Sequence, residues 1–482
     1  MSTFYFIAGS QDLYGEDTLN EVAAHTREIV EYLSDRLPFP LIPKPVVTTS
    51  PMIEVVMREA SADPDCAGVI TWMHTFSPSK MWINGLKILT KPLLHLHTQY
   101  NREIPWNKID MDFMNTNQSA HGDREHGFIF ARLGIRRKIA VGYYQDEAVI
   151  EKLGSWMRVA ATAAHGKDLR VMRFGDNMRE VAVTEGDKVE AQIKFGWQVN
   201  THGVYEIVQK MNDISSAQID ELMQEYSEKY TINTPDMDSV AYQAKLEIAI
   251  KALMDEYGCT AYTNTFEDLS GLEQLPGLAS QRLMEQGYGF GPEGDWKVSA
   301  MLRTMKLLSG NKGTSLMEDY TYHLVPGNES ILGAHMLEVC PTVAGSKPRI
   351  ETHPLGIGGK APPARMVFNG RSGEAVCASL IDLGGRMRLI VMEADAIEIP
   401  YDMPKLPVAR VMWKPRPDFF TGCEAWLLAG GAHHTVFSYR VTAGQLEDWA
   451  EIVGIECVHI GRNTVIPEFK RNLEVGELLW RR

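Results

Sequence analysis

Phe4-Tyr5-Phe6-Ile7-Ala8-Gly9-Ser10-Gln11-Asp12-Leu13-Tyr14-Gly15 stands almost at the start of the chain. Phe4–Ala8 is an unbroken apolar run, whereas a strand with one wet face alternates apolar and polar residues. The run therefore reads as a strand of a covered, parallel sheet. A glycine-bounded turn follows it. Thr18-Leu19-Asn20-Glu21 has the form of a capping box, in which the Thr hydroxyl and the Glu carboxylate satisfy free backbone N–H groups at a helix start. Leu19, Val22, Ala23, Ile29, Val30 and Leu33 then recur close to a 3.6-residue period. The same alternation continues outward. The apolar run 41–47 leads to Ser50-Pro51, a cap with Pro at the first helical position. Beyond it, 68–72, 93–96 and 139–144 read as strands, and 79–89 and 146–164 as helices. Repeated strand–helix alternation predicts a doubly wound α/β domain over residues 1–169.

Residues 170–313 continue the pattern as a second α/β domain of the same Rossmann-like kind. Here 169–174 and 260–266 read as strands, and 219–230, 240–257, 278–286 and 296–308 as helices. Gly310-Asn311-Lys312-Gly313 is a turn cluster that marks a boundary. From Thr314 to the C-terminus the texture changes to short alternating segments separated by Gly, Pro and Asn turns: 316–324, 364–368, 376–383, 387–396, 408–413, 425–428 and 435–441. Only one helix is expected among them, near 445–453. That spacing predicts a β-rich barrel or sandwich domain over residues 314–482.

Three domains account for a length of 482 residues, which exceeds the roughly 250–300 that one core supports. The chain carries 48 Lys and Arg against 62 Asp and Glu, a formal net charge of −14. An acidic surface of this kind argues against nucleic acid or an anionic membrane as partner. No apolar stretch approaches roughly 18 residues, so no membrane span is expected. The six cysteines are scattered without a CxxC pair, and no secretory leader opens the sequence, which points to a reduced, cytoplasmic setting.

Four groups of residues carry the most chemistry. They are Glu293 in Gly-Pro-Glu-Gly-Asp-Trp, Glu318 in Met-Glu-Asp-Tyr-Thr-Tyr-His, His335 in Gly-Ala-His-Met, and His433-His434 in Gly-Gly-Ala-His-His-Thr. Two carboxylates and two imidazoles make an O/N donor set suited to Mn²⁺ or Co²⁺ rather than to a cysteine-rich zinc site. Each residue taken singly also has a plain structural reading. Glu293 fits a solvated turn, Glu318 a strand row with Tyr320 and Tyr322, and His335 a hydrogen-bonded core position. Neighbouring histidines on a strand point to opposite faces. Gly356-Ile-Gly-Gly-Lys360 lacks the spacing and the Ser/Thr of a phosphate loop, and Gly9–Gly15 lacks a dinucleotide fingerprint.

Ten motifs in order, taken together, resemble the L-arabinose isomerase family. They are GSQDLYG (9–15), TFSPSKMW (75–82), DMDF (110–113), FGDNMREV (174–181), FEDL (266–269), GPEGDW (291–296), MEDYTYH (317–323), HMLEVCP (335–341), HPLGIGGK (353–360) and GGAHHTVF (430–437). The resemblance implies a fucose isomerase-like fold and a cytoplasmic aldose–ketose isomerase acting on L-arabinose, with one divalent ion per subunit, commonly Mn²⁺. By the same resemblance Glu293, Glu318, His335 and His434 are the metal ligands, and the two glutamates are also the acid/base pair. Gln11, Leu13, Met178, Phe266, Leu332, Ile357 and His433 fall on substrate-lining positions. A homo-oligomer, a hexamer, is implied, with Phe76 and His121 lent by a neighbouring subunit. The residue types suit the reaction. Moving a hydrogen between C2 and C1 through a cis-enediol needs a base beside the C1–C2 bond, an acid near the oxygens and positive charge to stabilise the enediolate. A metal-assisted hydride shift is the other route. Another preferred aldose such as D-galactose or L-fucose is the near alternative, since a methylene-sized difference is worth only roughly 1–3 kcal/mol in a pocket. A non-catalytic sugar-binding protein is the alternative from a different class.

Overall fold

The computed structural model describes residues 2–480, which fall into two compact units divided between residues 164 and 165. The first unit is built on a five-stranded parallel sheet of β1 (Thr3–Gly9), β2 (Leu41–Pro43), β3 (Cys66–Met73), β4 (Leu93–His97) and β5 (Lys138–Val141). The strand order is β2-β1-β3-β4-β5, a doubly wound order in which the chain reverses direction across the sheet beside β1. β3 is buried along its whole length, as a central strand covered by helices on both faces must be.

The first helix, Gly15–Ser34, corrects the expected capping box. A 3₁₀ turn, Asp12–Tyr14, runs directly into it, so Thr18 is an interior residue and Tyr14 stands at the N-cap position without a side-chain capping bond. Its buried stripe of Val22, Thr26, Ile29, Val30 and Leu33 keeps the expected period. The next helix, Ser50–Ala62, is capped one residue earlier than expected, by the Thr49 hydroxyl accepting from the Met52 N–H, with Pro51 in its first turn. Two further helices, Met111–Thr116 and Ser119–Leu133, fill a stretch that carried no assignment.

The second unit joins a parallel sheet to a barrel. The sheet contains β6 (Arg170–Phe174), β7 (Gln198–His202), β9 (Ala261–Asn264) and β10 (Gly289–Gly291) in the order β10-β9-β6-β7. The short β8 (Thr231–Ile232) pairs instead with β13 (Arg349–Thr352), which also pairs with β14 (Ala364–Val367). The barrel is made of β11 (Thr314–His323), β12 (Ser330–Ala334), β15 (Gly373–Asp382), β16 (Met387–Ile397), β17 (Arg410–Pro415) and β18 (His434–Ser438), all antiparallel, in the order β15-β18-β11-β12-β17-β16. A ten-pair β15–β16 ladder closes the ring. β19 (Glu456–Ile460) pairs in parallel with Arg388–Met392 of β16, the stretch that β17 does not reach.

Two expectations for this region fail. Residues 425–428 are not a strand but lie in the helix Phe419–Ala429, and that helix and Ile466–Trp480 join Ala443–Val453, so the described residues of this region hold three α-helices instead of one. The reason is local. Asp418 caps the first of these helices by accepting from the Thr421 N–H, and Gly430 ends it in the left-handed conformation. All six cysteines are free thiols. Among the described residues no helix is long and apolar enough to cross a membrane.

The helix Trp296–Leu308 determines where chemistry can sit. It packs against β9 and β10 of the parallel sheet and against β11, β15 and β18 of the barrel, and nearly all its residues are buried. Its two lysines are anchored inside: Lys297 donates to the Thr184 and Glu185 carbonyls, and Lys306 to the Thr314 carbonyl and Asn311. The N-terminus of this helix therefore lies between the sheet and the barrel.

Candidate active site

Glu293 occupies the turn between β10 and that helix. Its φ is +59°, an uncommon conformation for a residue with a Cβ. The surroundings fix it there: the Met178 N–H donates to the Glu293 carbonyl at 2.9 Å, and the Gly294 N–H donates to the Asn264 carbonyl at 3.0 Å. Gly294 follows with φ +78°, and a Cβ there would lie 2.5 Å from Asn177 Cα and the Asp176 carbonyl. Only glycine fits that position. Strain of this kind persists where the surrounding structure over-determines it, and it clusters at working sites.

The barrel supplies the facing residues by register. Glu318 on β11 pairs directly with His434 on β18 and, on its other side, with Ala334 on β12. Residues directly opposite on antiparallel strands share a face, so Glu318 and His434 are aimed the same way, and His335 follows Ala334 out of β12. His433 stands just before β18 begins, so it is free of the strand's alternation, and both imidazoles approach the same carboxylate. His433 Nε2 is 3.8 Å and His434 Nε2 3.9 Å from Glu293 Oε2. Those three residues form a group able to hold a cation. Glu293, Glu318 and His335 line one cavity together with Met178, Phe266 and Ile357. Leu332 lies on β12, opposite Thr321 and Met412, and is not among the residues lining that cavity.

The electrostatics are uneven around the site. Burial pushes the Glu293 carboxyl up, but His433, His434 and His335 outweigh it and hold the group below the ordinary carboxylate range. Burial holds the His434 imidazole below its usual value. His434 is fully buried, and neither of its ring nitrogens has a hydrogen-bond partner. A buried polar atom left unpaired costs roughly 1–3 kcal/mol, so this ring is well suited to ligate an ion and poorly explained as a packing residue. Burial together with the charge of adjacent Glu318 raises Asp319 to about 7. Two acids that sequence reasoning did not single out stand behind the imidazoles. Glu338 Oε2 is 2.5 Å from His335 Nδ1, and Asp295 Oδ2 is 3.8 Å from His434 Nδ1. Both lie inside quoted motifs, HMLEVCP and GPEGDW, which was the available signal.

The first unit holds the other expected residues at and near the C-terminal edge of its sheet, where open α/β sheets bind ligands. Gln11 caps the 3₁₀ turn after β1, and Leu13 in that turn is 85% exposed. Phe76 and His121 stack with ring centroids 4.6 Å apart, and His121 Nδ1 lies 3.0 Å from Gln118 Oε1.

Comparison with known proteins gives consistent results. Residues 1–168 match the L-arabinose isomerase N-terminal domain family, 170–311 the central domain family and 313–456 the C-terminal domain family. The L-arabinose isomerase of Geobacillus thermodenitrificans is 59% identical over 99% of this chain and 98% of its own. Those of Thermotoga petrophila, at 56%, and Clostridium beijerinckii, at 55%, also match over 99% of this chain, covering 97% and 98% of their own lengths.

Proposed function

The chain belongs to the L-arabinose isomerase family, which makes it an aldose–ketose isomerase, and from that premise we propose that it interconverts L-arabinose and L-ribulose with one divalent ion, Mn²⁺ or Co²⁺, held by Glu293, Glu318, His335 and His434. The observation that carries the metal reading is the fully buried His434 ring, unpaired at both nitrogens, facing Glu293 across 3.9 Å. When bound, the ion supplies Lewis-acid polarisation of the sugar's two reacting oxygens.

The chain's own residues do the rest. One of the two carboxylates takes the proton from C2 while O1 is protonated, giving a cis-enediol; loss of the O2 proton and return of a proton to C1 complete the ketose. The Glu293 carboxyl is held below the ordinary carboxylate range, which favours the ionised state a base requires. Met178, Phe266 and Ile357 line the same cavity and give it apolar walls that limit water around the reacting carbons. His433, beside Glu293, is a further substrate contact in this reading.

The reading includes a cytoplasmic homohexamer in which Phe76 and His121 reach a neighbouring subunit's site. The large apolar side chains near that stack in the sequence support it: Trp106 is 76% and Met111 70% exposed, with Ile104 and Met114 also in solvent. Two measurements test the chemistry. Dialysis against EDTA should abolish turnover and added Mn²⁺ should restore it; activity indifferent to chelation would remove the metal from the reaction. L-ribulose formed in D₂O should carry deuterium at C1; product without it would replace the enediol by a hydride shift.

A further inference from the structure

His335 is the first residue beyond β12, and the chain turns at Met336 and Leu337 so that Glu338 comes back beneath its ring. We propose that Glu338 is a positioning residue for the metal site: it fixes the His335 ring and tautomer so that Nε2 presents a lone pair to the cation. The proposal rests on the ligand set argued above.

Three observations support it. His335 Nδ1 lies 2.5 Å from Glu338 Oε2. An ionised carboxylate only accepts, so Nδ1 is the nitrogen that carries the proton and Nε2, on the far side of the ring, is the coordinating atom. The same oxygen accepts the Leu337 N–H at 3.2 Å, so the carboxylate cannot swing away without giving up a backbone partner. Both residues are buried and both line the cavity that contains Glu293 and Glu318. Metal-ligating imidazoles are commonly backed by such a carboxylate, which orients the ring and makes the ligating nitrogen a better donor.

The second imidazole is treated differently. Asp295 is 3.8 Å from His434 Nδ1, beyond hydrogen-bond distance, and it already accepts the Val298 N–H and pairs with Lys297 at 3.3 Å. Of the two histidines, His335 therefore has the tight carboxylate partner, and Glu338 is the residue whose loss is felt at the ion.

The test is Mn²⁺ titration of the full chain by calorimetry, for the parent and for Glu338→Gln. The amide keeps the shape and removes the charge. Affinity for Mn²⁺ is expected to fall by roughly 10- to 100-fold, while the metal-free melting temperature stays near that of the parent, which a merely structural role would not produce. Equal affinity in parent and variant would overturn the role of Glu338 alone. A parent chain that takes up no Mn²⁺ would overturn the ligand set itself. If the variant does not fold, a structure of the Mn²⁺-loaded parent decides: Nε2 of His335 on the ion upholds the proposal, and Nδ1 on the ion overturns it.

Discussion

Glu318→Gln is expected to lower kcat on L-arabinose by roughly 10²–10⁴-fold, the range that a positioned general acid or base contributes. The substitution is isosteric, and β11 is held from both sides by β18 and β12 at this residue, so the backbone register has no reason to change. What changes is the charge. On the reading proposed above, a carboxylate that moves a proton and helps bind a cation becomes an amide that does neither well. The loss should persist at saturating sugar and at saturating Mn²⁺, because a chemical step has been removed as well as affinity. Steady-state kinetics at several Mn²⁺ concentrations, with circular dichroism as the folding control, make the measurement. A folded variant with parental kcat would take Glu318 out of the reaction.

The second large effect lies away from the site. Arg282, on the helix Gly277–Glu285, is 2% exposed and surrounded by acids and phenols. Its guanidinium donates to Glu225 and Glu285 at 2.5 Å and to the Tyr230 hydroxyl at 2.7 Å, and lies 3.4 Å from Glu247. Glu247 is itself buried and accepts from the Tyr226 hydroxyl and the Gln286 amide. Arg282→Met preserves much of the volume and leaves Glu247 without its cation. Removing one member of a buried ion pair costs about 3–5 kcal/mol. Urea unfolding should show a loss of that size for the second unit, with the m-value unchanged. A loss under about 1 kcal/mol would mean the cluster is solvated enough to behave as surface ion pairs do.

The elements legible in the sequence are those whose signal is local. Phe4–Ala8 is the interior of β1, and the buried stripe of the first helix follows its period. Where local signals compete, the reading slips. Thr18 to Glu21 has the letters of a capping box, but the preceding 3₁₀ turn had already started the helix. Ala425 to Leu428 reads as an apolar strand run, yet Gly422, Ala425, Trp426 and Ala429 bury one helical face while Leu427 points to solvent. In the site, residue types were legible and convergence was not. Nothing near Glu293 in sequence tells that a buried helix sets it against β18, and Asp295 and Glu338 acquire meaning only from the imidazoles they face. The two histidines were read as opposed because a strand alternates; β18 begins one residue too late for that rule to apply.

Closing the barrel through β18 also has a consequence for synthesis of the protein. Glu318 is flanked by a strand made immediately after it and by one made far later, since β13 to β17 all intervene. On the ribosome, the β11–β12 hairpin emerges complete with Glu318 and His335, while the row beside it stays open until β18 arrives. A nascent chain stopped short of residue 434 therefore presents an unpaired β11 edge and lacks His434. Chaperone dependence during translation should centre on that interval, when an exposed strand edge waits for its partner.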